Sequence, residues 1–398
     1  MKWHRNLYEG LLEAYGAVRD GKLPPDIYLD KLFARHRKWG KRDREFVKSR
    51  LYELLRRKNL WEKLAREIAG SDSPENVLKV FVVAETQHLS EFLNEDGALS
   101  PEEVLKHYRK LLRVPHLKAG LPEWLYHKGK ETWKEEWDGL AEKLNTPNLP
   151  VVRVNTLKIT PAKLADLFMR KGYEVEIPAY PPEALILKKP YKLTHTEWYK
   201  HGLFEWQDLS SQEAGLFTGV KPGMTVVDAC AGAGGKTLQM AAMMQNTGKL
   251  YAFDISPEKI ERLKRRAKRA GVQNLAAAET VNPGRIERLK QKADVVVVDA
   301  PCSGSGTYRR NPHLKWRISE NAFQKIIRTQ KHVLDAYADM VKPGGYLVYI
   351  TCSLLRDENE KQINDFLNRR KDFTFVEEKY ILPGPGRDGF YMAKLKRT

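Results

Sequence analysis

Short apolar runs in the second half of the chain constrain its fold more than any other feature of the sequence. Residues 224–228, 249–254, 294–299 and 346–351 are mostly hydrophobic, and segments with helical periodicity lie between them. Such runs are typical of strands buried on both faces of a parallel sheet, which helices cover from either side. We therefore expect residues 203–398 to form a Rossmann-like, doubly wound α/β domain.

The preceding residues predict two further parts. Residues 1–145 have helical patterning, and we expect an all-helical domain there. A helix is predicted over 99–112, because Ser100 and Pro101 are typical helix-start residues. Residues 146–202 contain a strand-like segment and a second helix start, which indicates a small α/β segment. Within the first part, apolar residues recur at intervals of three, four and seven, which predicts one helix with a single apolar stripe. The stripe consists of Val47, Leu51, Leu54, Trp61, Leu64 and Ile68.

Composition excludes several classes of protein. No stretch reaches the roughly 18 uncharged apolar residues that a membrane helix needs, and the N-terminus lacks the apolar core of a signal peptide. The three cysteines are too few for a disulfide framework and form no C-x-x-C pair of a zinc or redox site. We therefore expect a cytoplasmic protein with no membrane partner and no metal.

An excess of positive charge indicates a polyanionic partner. The formal net charge is +18, and residues 31–60 hold twelve Lys and Arg against three acidic residues. A second basic run, 258–270, predicts a helix with a basic face. Because counterion release favours the binding of phosphates to such surfaces, nucleic acid is the expected partner. A solvated surface is the alternative for either run.

The residues after the predicted strands are candidates for a ligand site, because ligands of open α/β sheets bind beyond the carboxyl ends of the strands. The first run leads into a glycine-rich loop, 230–236, whose backbone can approach a ligand closely. Asp254 ends the second run, where a carboxylate can accept hydrogen bonds from ribose hydroxyls. These residues fit a nicotinamide cofactor or S-adenosylmethionine, although the loop lacks the spacing G-x-G-x-x-G and has Cys230 where a P-loop has glycine. Alternatively, Asp254 caps the helix that starts near Pro257.

All three cysteines follow predicted strands directly. Cys230 lies in the glycine-rich loop, Cys302 follows the third run and Cys352 follows the fourth. A single buried cysteine is ordinarily a small apolar residue that fills space. Three of them at the ligand-binding edge of one sheet indicate chemistry.

The motifs around these residues resemble a known enzyme family. DACAGAGGKT at 228–237, DAPCSGSGTYRRNPHLKW at 299–316 and YITCSLLRDENEKQI at 349–363 are similar to motifs of the RsmB/NSUN family of RNA 5-methylcytosine methyltransferases. The N-terminal helices resemble, more loosely, the NusB-like RNA-binding domain of the RsmB branch. Agreement over about 150–398 includes three further segments: RVNTLK at 153–158, WQD at 206–208 and DGFY at 388–391.

The resemblance implies an S-adenosylmethionine-dependent enzyme that methylates carbon 5 of a cytosine in RNA. It makes Cys352 the nucleophile and Cys302 the cysteine that assists product release. Asp299 would hold the cytosine near N3, and Lys236 would lie beside the reacting base. The cofactor would be held by these residues: Cys230, Ala231, Gly232, Ala233, Gly234, Gly235, Lys236, Asp254, Glu279 and Asp299.

The chain departs from the family pattern at two positions. Ala233 stands where the family usually has Pro, which reduces the rigidity of the loop only. Thr280 stands where the family usually has Asp, so the preceding Glu279 is the candidate for that cofactor contact. The resemblance also implies RNA-binding roles for 1–145 and 146–202. Small-subunit ribosomal RNA is the expected substrate, tRNA is its main rival, and a monomer is expected.

The chemistry of cytosine explains why a cysteine is needed. C5 is too weakly nucleophilic to take a methyl group, but a thiolate that adds at C6 converts the ring into an enamine-like species that can do so. A donor at N3 would stabilise charge that develops only in the adduct, and Asp299 suits this role.

Three alternatives stay open. In a DNA cytosine methyltransferase the Pro-Cys motif, here with Cys302, would supply the nucleophile. A ribosome assembly factor would bind RNA without catalysis. A small-molecule methyltransferase would give no use for the basic N-terminal helices or for this basic segment: Arg309, Arg310, His313, Lys315 and Trp316.

Overall fold

The computed structural model describes residues 3–21, 23–87, 99–280 and 283–398, with the backbone alone at 277, 278, 280, 283 and 285. The chain divides into a helical unit, Met1–Thr146 with Tyr308–Phe323, and a sheet unit, Pro147–Thr307 with Gln324–Thr398. The sequence predicts three contiguous domains, 1–145, 146–202 and 203–398. In the structure, however, residues 308–323 belong to the helical unit. No helix in the described ranges has the length and apolar character that a membrane span requires.

Helices around an apolar core make up the helical unit. Tyr15 and Leu51 are among its fully buried side chains. The helix predicted over 99–112 is confirmed as Pro101–Leu111, and Ser100 Oγ caps it by accepting a hydrogen bond from Glu103 N. The helices are α1 Arg5–Val18, α2 Pro25–Arg35, α3 Lys41–Arg56, α4 Lys58–Ala69, α5 Pro74–Thr86, α6 Pro101–Leu111, α7 Pro115–Lys118, α8 Glu123–Trp133 and α9 Trp137–Leu144.

The prediction of one helix along the apolar stripe is wrong, because the stripe is divided between α3 and α4. The backbone leaves the helical region at Arg57, with φ −128° and ψ 38°. The last two carbonyls of α3 accept hydrogen bonds from Lys315 Nζ at 2.7 Å and Trp316 Nε1 at 2.6 Å. Since these partners satisfy the carbonyls that a helix end leaves unpaired, distant contacts stabilise the break.

Residues 308–323 supply buried polar contacts to the helical unit. Lys315 is fully buried, and its Nζ also donates a hydrogen bond to Asn145 Oδ1 at 2.9 Å. Burial, together with nearby arginines, lowers the pKa of Lys315 well below its ordinary value. Arg309 is buried too, and its Nε donates to Thr146 O at 3.2 Å. Lys315 and Arg309 therefore use their polar groups within the helical unit.

A small antiparallel sheet begins the sheet unit. Its strand order is β2-β3-β1-β4 in the following labels: β1 Val151–Val154, β2 Val175–Glu176, β3 Ala184–Leu187 and β4 Phe204–Trp206. Helix α10, Pro161–Arg170, buries Leu164 and Phe168 in the core of this sheet, and α11 is Glu197–Lys200. Strand β4 lies beyond the predicted boundary at 202 and pairs with β1.

A larger sheet with flanking helices completes the chain. Its strand order is β10-β11-β9-β8-β5-β6-β7, parallel from β7 to β9 and antiparallel at β11 and β10. This order confirms the predicted Rossmann-like, doubly wound fold. Its strands and helices are α12 Leu209–Phe217, β5 Thr225–Asp228, α13 Gly235–Met243, β6 Lys249–Asp254, α14 Pro257–Ala270, β7 Leu275–Thr280, α15 Pro283–Arg288, β8 Ala293–Asp299, α17 Glu320–Ala338, β9 Val341–Thr351, α18 Glu360–Arg369, β10 Phe373–Ile381 and β11 Phe390–Arg397. Helix α16, Leu314–Arg317, belongs to the helical unit.

The predicted strands are confirmed as β5, β6, β8 and β9, and β9 begins at Val341 rather than at 346. Sequence patterning missed β7, β10 and β11. The order of the strands reverses at β5, which has β6 on one side and β8 on the other. The carboxyl ends of β5 and β8 therefore flank the point where open α/β sheets bind their ligands.

Candidate active site

The predicted site residues come from neighbouring strand ends. The loop 230–236 follows β5, Asp254 ends β6, Asp299 ends β8 and Cys352 follows β9. Because these strands are adjacent and parallel, their carboxyl ends lie along one edge of the sheet. Glu279 is the penultimate residue of β7, beyond β6.

The side chain of Asp254 holds the glycine-rich loop in place by binding the backbone of the loop. Its Oδ2 accepts a hydrogen bond from Gly232 N at 2.9 Å, and its Oδ1 accepts one from Ser256 N at 2.9 Å. Gly232 and Gly234 have φ angles of 55° and 89°, a region that favours glycine. Helix α14 is capped by Ser256 Oγ, so the alternative that Asp254 serves only as that cap is wrong.

Arg153 supports the loop from the small sheet. This side chain on β1 is buried, and its Nη1 donates a hydrogen bond to Gly235 O at 2.7 Å. The same nitrogen donates to Gln207 Oε1. Both residues lie in segments that carried the family resemblance, but sequence reasoning assigned a role to neither. The contacts hold the first residue of α13, next to Lys236.

Part of the second basic run faces the interior of the sheet unit. On α14, Arg266 Nη1 donates to Ala233 O at 2.5 Å, and its Nη2 pairs with Glu205 at 3.0 Å. Arg269 also pairs with Glu205, which is buried. Since these two guanidinium groups bind inside the unit, the basic surface of α14 is smaller than the charge count predicts.

A cavity of about 460 Å³ adjoins the glycine-rich loop. Its volume is in the range of small-molecule sites. Apolar walls suit an adenine ring, and the carboxylate of Asp254 suits ribose hydroxyls, so these residues fit S-adenosylmethionine. The exposed side chain of Ile255, with 85% of its surface accessible, was not predicted as part of the site. The lining includes Cys230, Gly232, Asp254, Ile255, Asp299 and Tyr337.

Other predicted cofactor residues shape the loop. Ala231 N donates to the carbonyl of Phe253 at 2.8 Å, and Gly234 N donates to Ala231 O at 2.9 Å. Glu279 is not among the described residues that line the cavity. Its contact with the cofactor therefore stays a prediction. The side chain of Thr280 lies outside the described residues.

The two cysteines from β8 and β9 face each other. Cys302 Sγ and Cys352 Sγ lie 3.3 Å apart, within hydrogen-bonding distance for sulfur. This hydrogen bond, together with burial, raises the pKa of Cys302 well above its ordinary value. Cys302 therefore stays a thiol and is suited to donate a hydrogen bond to the Cys352 sulfur. Burial also raises the pKa of Cys230, which keeps that residue a thiol.

A buried lysine and a more exposed aspartate form an ion pair beside the cysteines. Lys236 Nζ lies 2.7 Å from Asp299 Oδ2 and 5.2 Å from the centre of the Phe390 ring. Burial acts to lower the pKa of Lys236, but the charge and hydrogen bond of Asp299 outweigh it, and Cys352 adds to the rise. The Asp299 side chain is 31% accessible against 9% for Lys236, so Asp299 is the member that a ligand can reach.

Sequence reasoning missed two buried acids near these residues. Asp228 accepts a hydrogen bond from Thr237 Oγ1 at 2.6 Å, and burial raises the pKa of Asp228 to about 7. Glu358 accepts hydrogen bonds from the residues that follow both cysteines. Asp228 ends a predicted strand, which was an available signal, whereas no local pattern indicated Glu358.

The chain matches known methyltransferases along most of its length. Residues 218–396 match the family described as 16S rRNA methyltransferase RsmB/F, and residues 121–194 match the ferredoxin-like domain described for RsmF/B-like methyltransferases. A solved structure described as PH0851 superposes with a TM-score of 0.84 over all of both chains, at 26% identity. A methyltransferase homolog protein from Pyrococcus horikoshii has a TM-score of 0.64 over 73% of this chain and 99% of that chain, at 27% identity.

Curated relatives have the same family name. The ribosomal RNA small subunit methyltransferase B of Photorhabdus laumondii is 31% identical over 69% of this chain and 66% of its own length. The probable ribosomal RNA small subunit methyltransferase B of Synechocystis is 31% identical over 70% of this chain and 67% of its own length. The chain thus spans about two thirds of the length of these relatives. Its cofactor is S-adenosylmethionine. The chain belongs to the RsmB/F family of methyltransferases.

Proposed function

We propose that this chain methylates carbon 5 of a cytosine in RNA, through a transient bond between Cys352 Sγ and C6 of the base. The supporting observation is the pair of sulfurs 3.3 Å apart, next to the Lys236–Asp299 ion pair and on the same sheet edge as the cavity. Methyl transfer to an oxygen or an amine needs no cysteine, whereas C5 of a cytosine becomes nucleophilic only after addition at C6.

The first step is attack by the Cys352 thiolate. The S–C6 bond forms, and the electron pair of the C5–C6 double bond becomes available at C5. Asp299 contacts the N3 edge and pairs with Lys236. The Lys236 ammonium group thereby stays beside the ring, where its positive charge stabilises the negative charge that the ring gains only in the adduct. S-adenosylmethionine, when bound, supplies an electrophilic methyl group, which C5 takes up.

Release of the product needs two bonds to break. The proton on C5 leaves to a base or a water molecule near Cys302, and the S–C6 bond then breaks with its electron pair returning to Cys352 Sγ. Cys302 assists this step, because its thiol donates a hydrogen bond to the sulfur that regains negative charge. The raised pKa of Cys302 agrees with a donor that keeps its proton.

The substrate we propose is small-subunit ribosomal RNA, since the matched relatives are named for it. The test is to incubate the protein and S-adenosylmethionine with transcribed small-subunit RNA or with total tRNA, followed by bisulfite sequencing. We expect one protected cytosine in the ribosomal RNA. Protection only in tRNA would correct the substrate. No protection in either RNA, with intact RNA binding, would favour the non-catalytic assembly factor.

The helical unit supplies a surface for the RNA. Several Lys and Arg residues lie from the end of α2 to the first turn of α3. Among them, Arg35 pairs with Glu13, and Arg44 donates a hydrogen bond to a backbone carbonyl. Four exposed side chains are left for phosphate contacts: Arg37, Lys38, Lys41 and Arg42.

Replacement of these four residues with Ala should weaken RNA binding and lower its dependence on salt. Each lost phosphate contact reduces the slope of log K against log salt by roughly 0.7 to 0.9, so the slope should fall by about 3. Filter binding over a range of salt concentrations measures both quantities, and cofactor binding should be unchanged.

A matched control removes four exposed lysines of the sheet unit and should change the slope less. An equal slope in the wild type and the first variant would make the basic run of the helical unit an ordinary solvated surface. The control lysines are Lys290, Lys292, Lys371 and Lys396.

A further inference from the structure

The residues that follow each cysteine converge on one buried carboxyl group. Glu358 is fully buried in the turn between β9 and α18. Ser303 N donates to its Oε1 at 2.7 Å, and Ser303 Oγ donates to its Oε2 at 2.5 Å. Ser353 Oγ donates to the same Oε2. Because Ser303 follows Cys302 and Ser353 follows Cys352, one carboxylate binds both cysteine loops.

Helix α17 supplies a third residue that contacts this carboxylate. Gln330 is fully buried, and its Nε2 donates to Glu358 Oε1 at 3.1 Å and to Pro301 O at 3.0 Å. The carbonyl of Pro301 belongs to the peptide bond that leads into Cys302. Gln330 thereby fixes the approach to Cys302 on one side, while Ser303 fixes it on the other.

We propose that Glu358 is a positioning residue, which holds the two cysteine loops so that the Cys302 and Cys352 sulfurs stay within hydrogen-bonding distance. The catalytic importance of this positioning rests on the proposed function. The distance between the two thiols, in contrast, is a property of the chain that can be probed without RNA or cofactor.

The two serine hydroxyls share one carboxylate oxygen as their acceptor. Ser303 Oγ already accepts from Ser305 N at 3.3 Å, and Ser353 Oγ accepts from the backbone of Leu355 at 3.1 Å. Each hydroxyl therefore has its proton to donate, and one carboxylate oxygen takes both. An amide in this place has only one acceptor oxygen. Whichever way it turns, its NH₂ group faces either the two hydroxyls or the N–H donors of Ser303 and Gln330, so two of the four donors lose their acceptor.

Burial opposes the charge that this arrangement uses. It raises the pKa of Glu358, although the hydrogen bonds from Ser303, Ser353 and Gln330 act in the opposite direction. A buried carboxylate is a poor means of stabilising a fold, because an apolar side chain of similar volume does so without the cost of desolvation. The use of Glu358 is instead the geometry that its hydrogen bonds impose on the two cysteine loops.

The test compares Glu358→Gln with the wild type in two measurements. In the first, diamide takes two electrons and two protons from Cys302 and Cys352, and mass spectrometry follows disulfide formation. We expect the rate to fall by roughly 10-fold or more, because the sulfurs move apart. In the second, kcat for RNA methylation should fall roughly 100-fold, as for a misplacement of about 1 Å, with KM for RNA and cofactor nearly unchanged.

The matched control is Glu213→Gln. Glu213 is also buried in the sheet unit, but it pairs with Lys379 and Arg387. This variant should lower the melting temperature while it keeps the wild-type disulfide rate and kcat. A general loss of stability therefore does not imitate the expected result.

A wild-type disulfide rate and kcat in Glu358→Gln would overturn the proposal. If that variant does not fold, Ser303→Ala and Ser353→Ala replace it, each with a smaller loss expected, and an unchanged disulfide rate in both overturns the proposal equally. A disulfide rate that depends on Glu358 in a protein without methylation activity would support the positioning role and contradict the proposed function alone.

Discussion

Replacement of Cys352 with Ala should reduce methyl transfer to RNA roughly 10,000-fold or more, the scale of losing a catalytic nucleophile. Without this sulfur C6 is never attacked, so C5 stays too weak a nucleophile to accept a methyl group. Transfer of radiolabelled methyl from S-adenosylmethionine to RNA measures the loss. Affinity for RNA and for the cofactor should be retained, because neither depends on the adduct.

The Cys302→Ala variant is the comparison that gives this result its meaning. The sulfur that this variant lacks is the hydrogen-bond donor rather than the attacking atom, so attack should continue and release should be slow. A Cys352→Ala protein that keeps more than about a tenth of the wild-type rate would be inconsistent with a nucleophile, given the usual size of such effects.

Replacement of Asp254 with Ala should weaken the binding of S-adenosylmethionine roughly 1,000-fold. The variant loses the expected contact with the ribose and leaves Gly232 N and Ser256 N without their acceptor, and hydrogen bonds to a charged group are worth about 1.5 to 3 kcal/mol each. In the wild type S-adenosylmethionine should raise the melting temperature, because it binds the native state alone. In the variant that rise should disappear.

Asp294 provides the matched control for this prediction. It is an aspartate near the start of β8, where it accepts a hydrogen bond from Thr225 N at 2.7 Å and pairs with Lys342 at 2.5 Å. Asp294→Ala should lower stability but keep the rise in melting temperature with S-adenosylmethionine. A rise with NAD and none with S-adenosylmethionine would make the cofactor assignment wrong.

The central strands were predictable because both of their faces are buried. In β8 the four valines from 295 to 298 are all buried, which makes one continuous apolar run. Strand β10 exposes most of its residues, including Phe375 and Val376, and the alanine-rich β7 carries no such run. Exposure of most of a strand, as in β10, or small side chains, as in β7, leaves too little contrast for a pattern to indicate a strand.

The errors in the helical unit have a different origin. Apolar spacing continues through Arg57, so nothing local predicted the break between α3 and α4. Lys315 sits in a basic segment, and lysines are seldom fully buried, yet its partners are backbone and amide oxygens of the helical unit. In both places the deciding contact joins residues far apart in the sequence.

The candidate site was predictable as a set of positions, and their pairing was not. Strand ends at one edge of a sheet must be neighbours, which brought Cys230, Asp254, Asp299 and Cys352 into consideration. The contact between the two sulfurs and the role of Glu358 depend on loops 50 or more residues apart. In the sequence Glu358 is one acid in a charged stretch, where solvent exposure is the usual expectation.

The most direct test of the cysteine mechanism is to locate the covalent adduct. Cys302→Ala is incubated with S-adenosylmethionine and the methylated RNA, denatured, digested with nuclease and trypsin, and analysed by mass spectrometry. A 5-methylcytidine nucleotide should accumulate on the peptide that contains Cys352, and no adduct should form in Cys352→Ala. An adduct that persists in Cys352→Ala and is absent from Cys302→Ala would rule out Cys352 as the nucleophile and assign the attacking sulfur to Cys302.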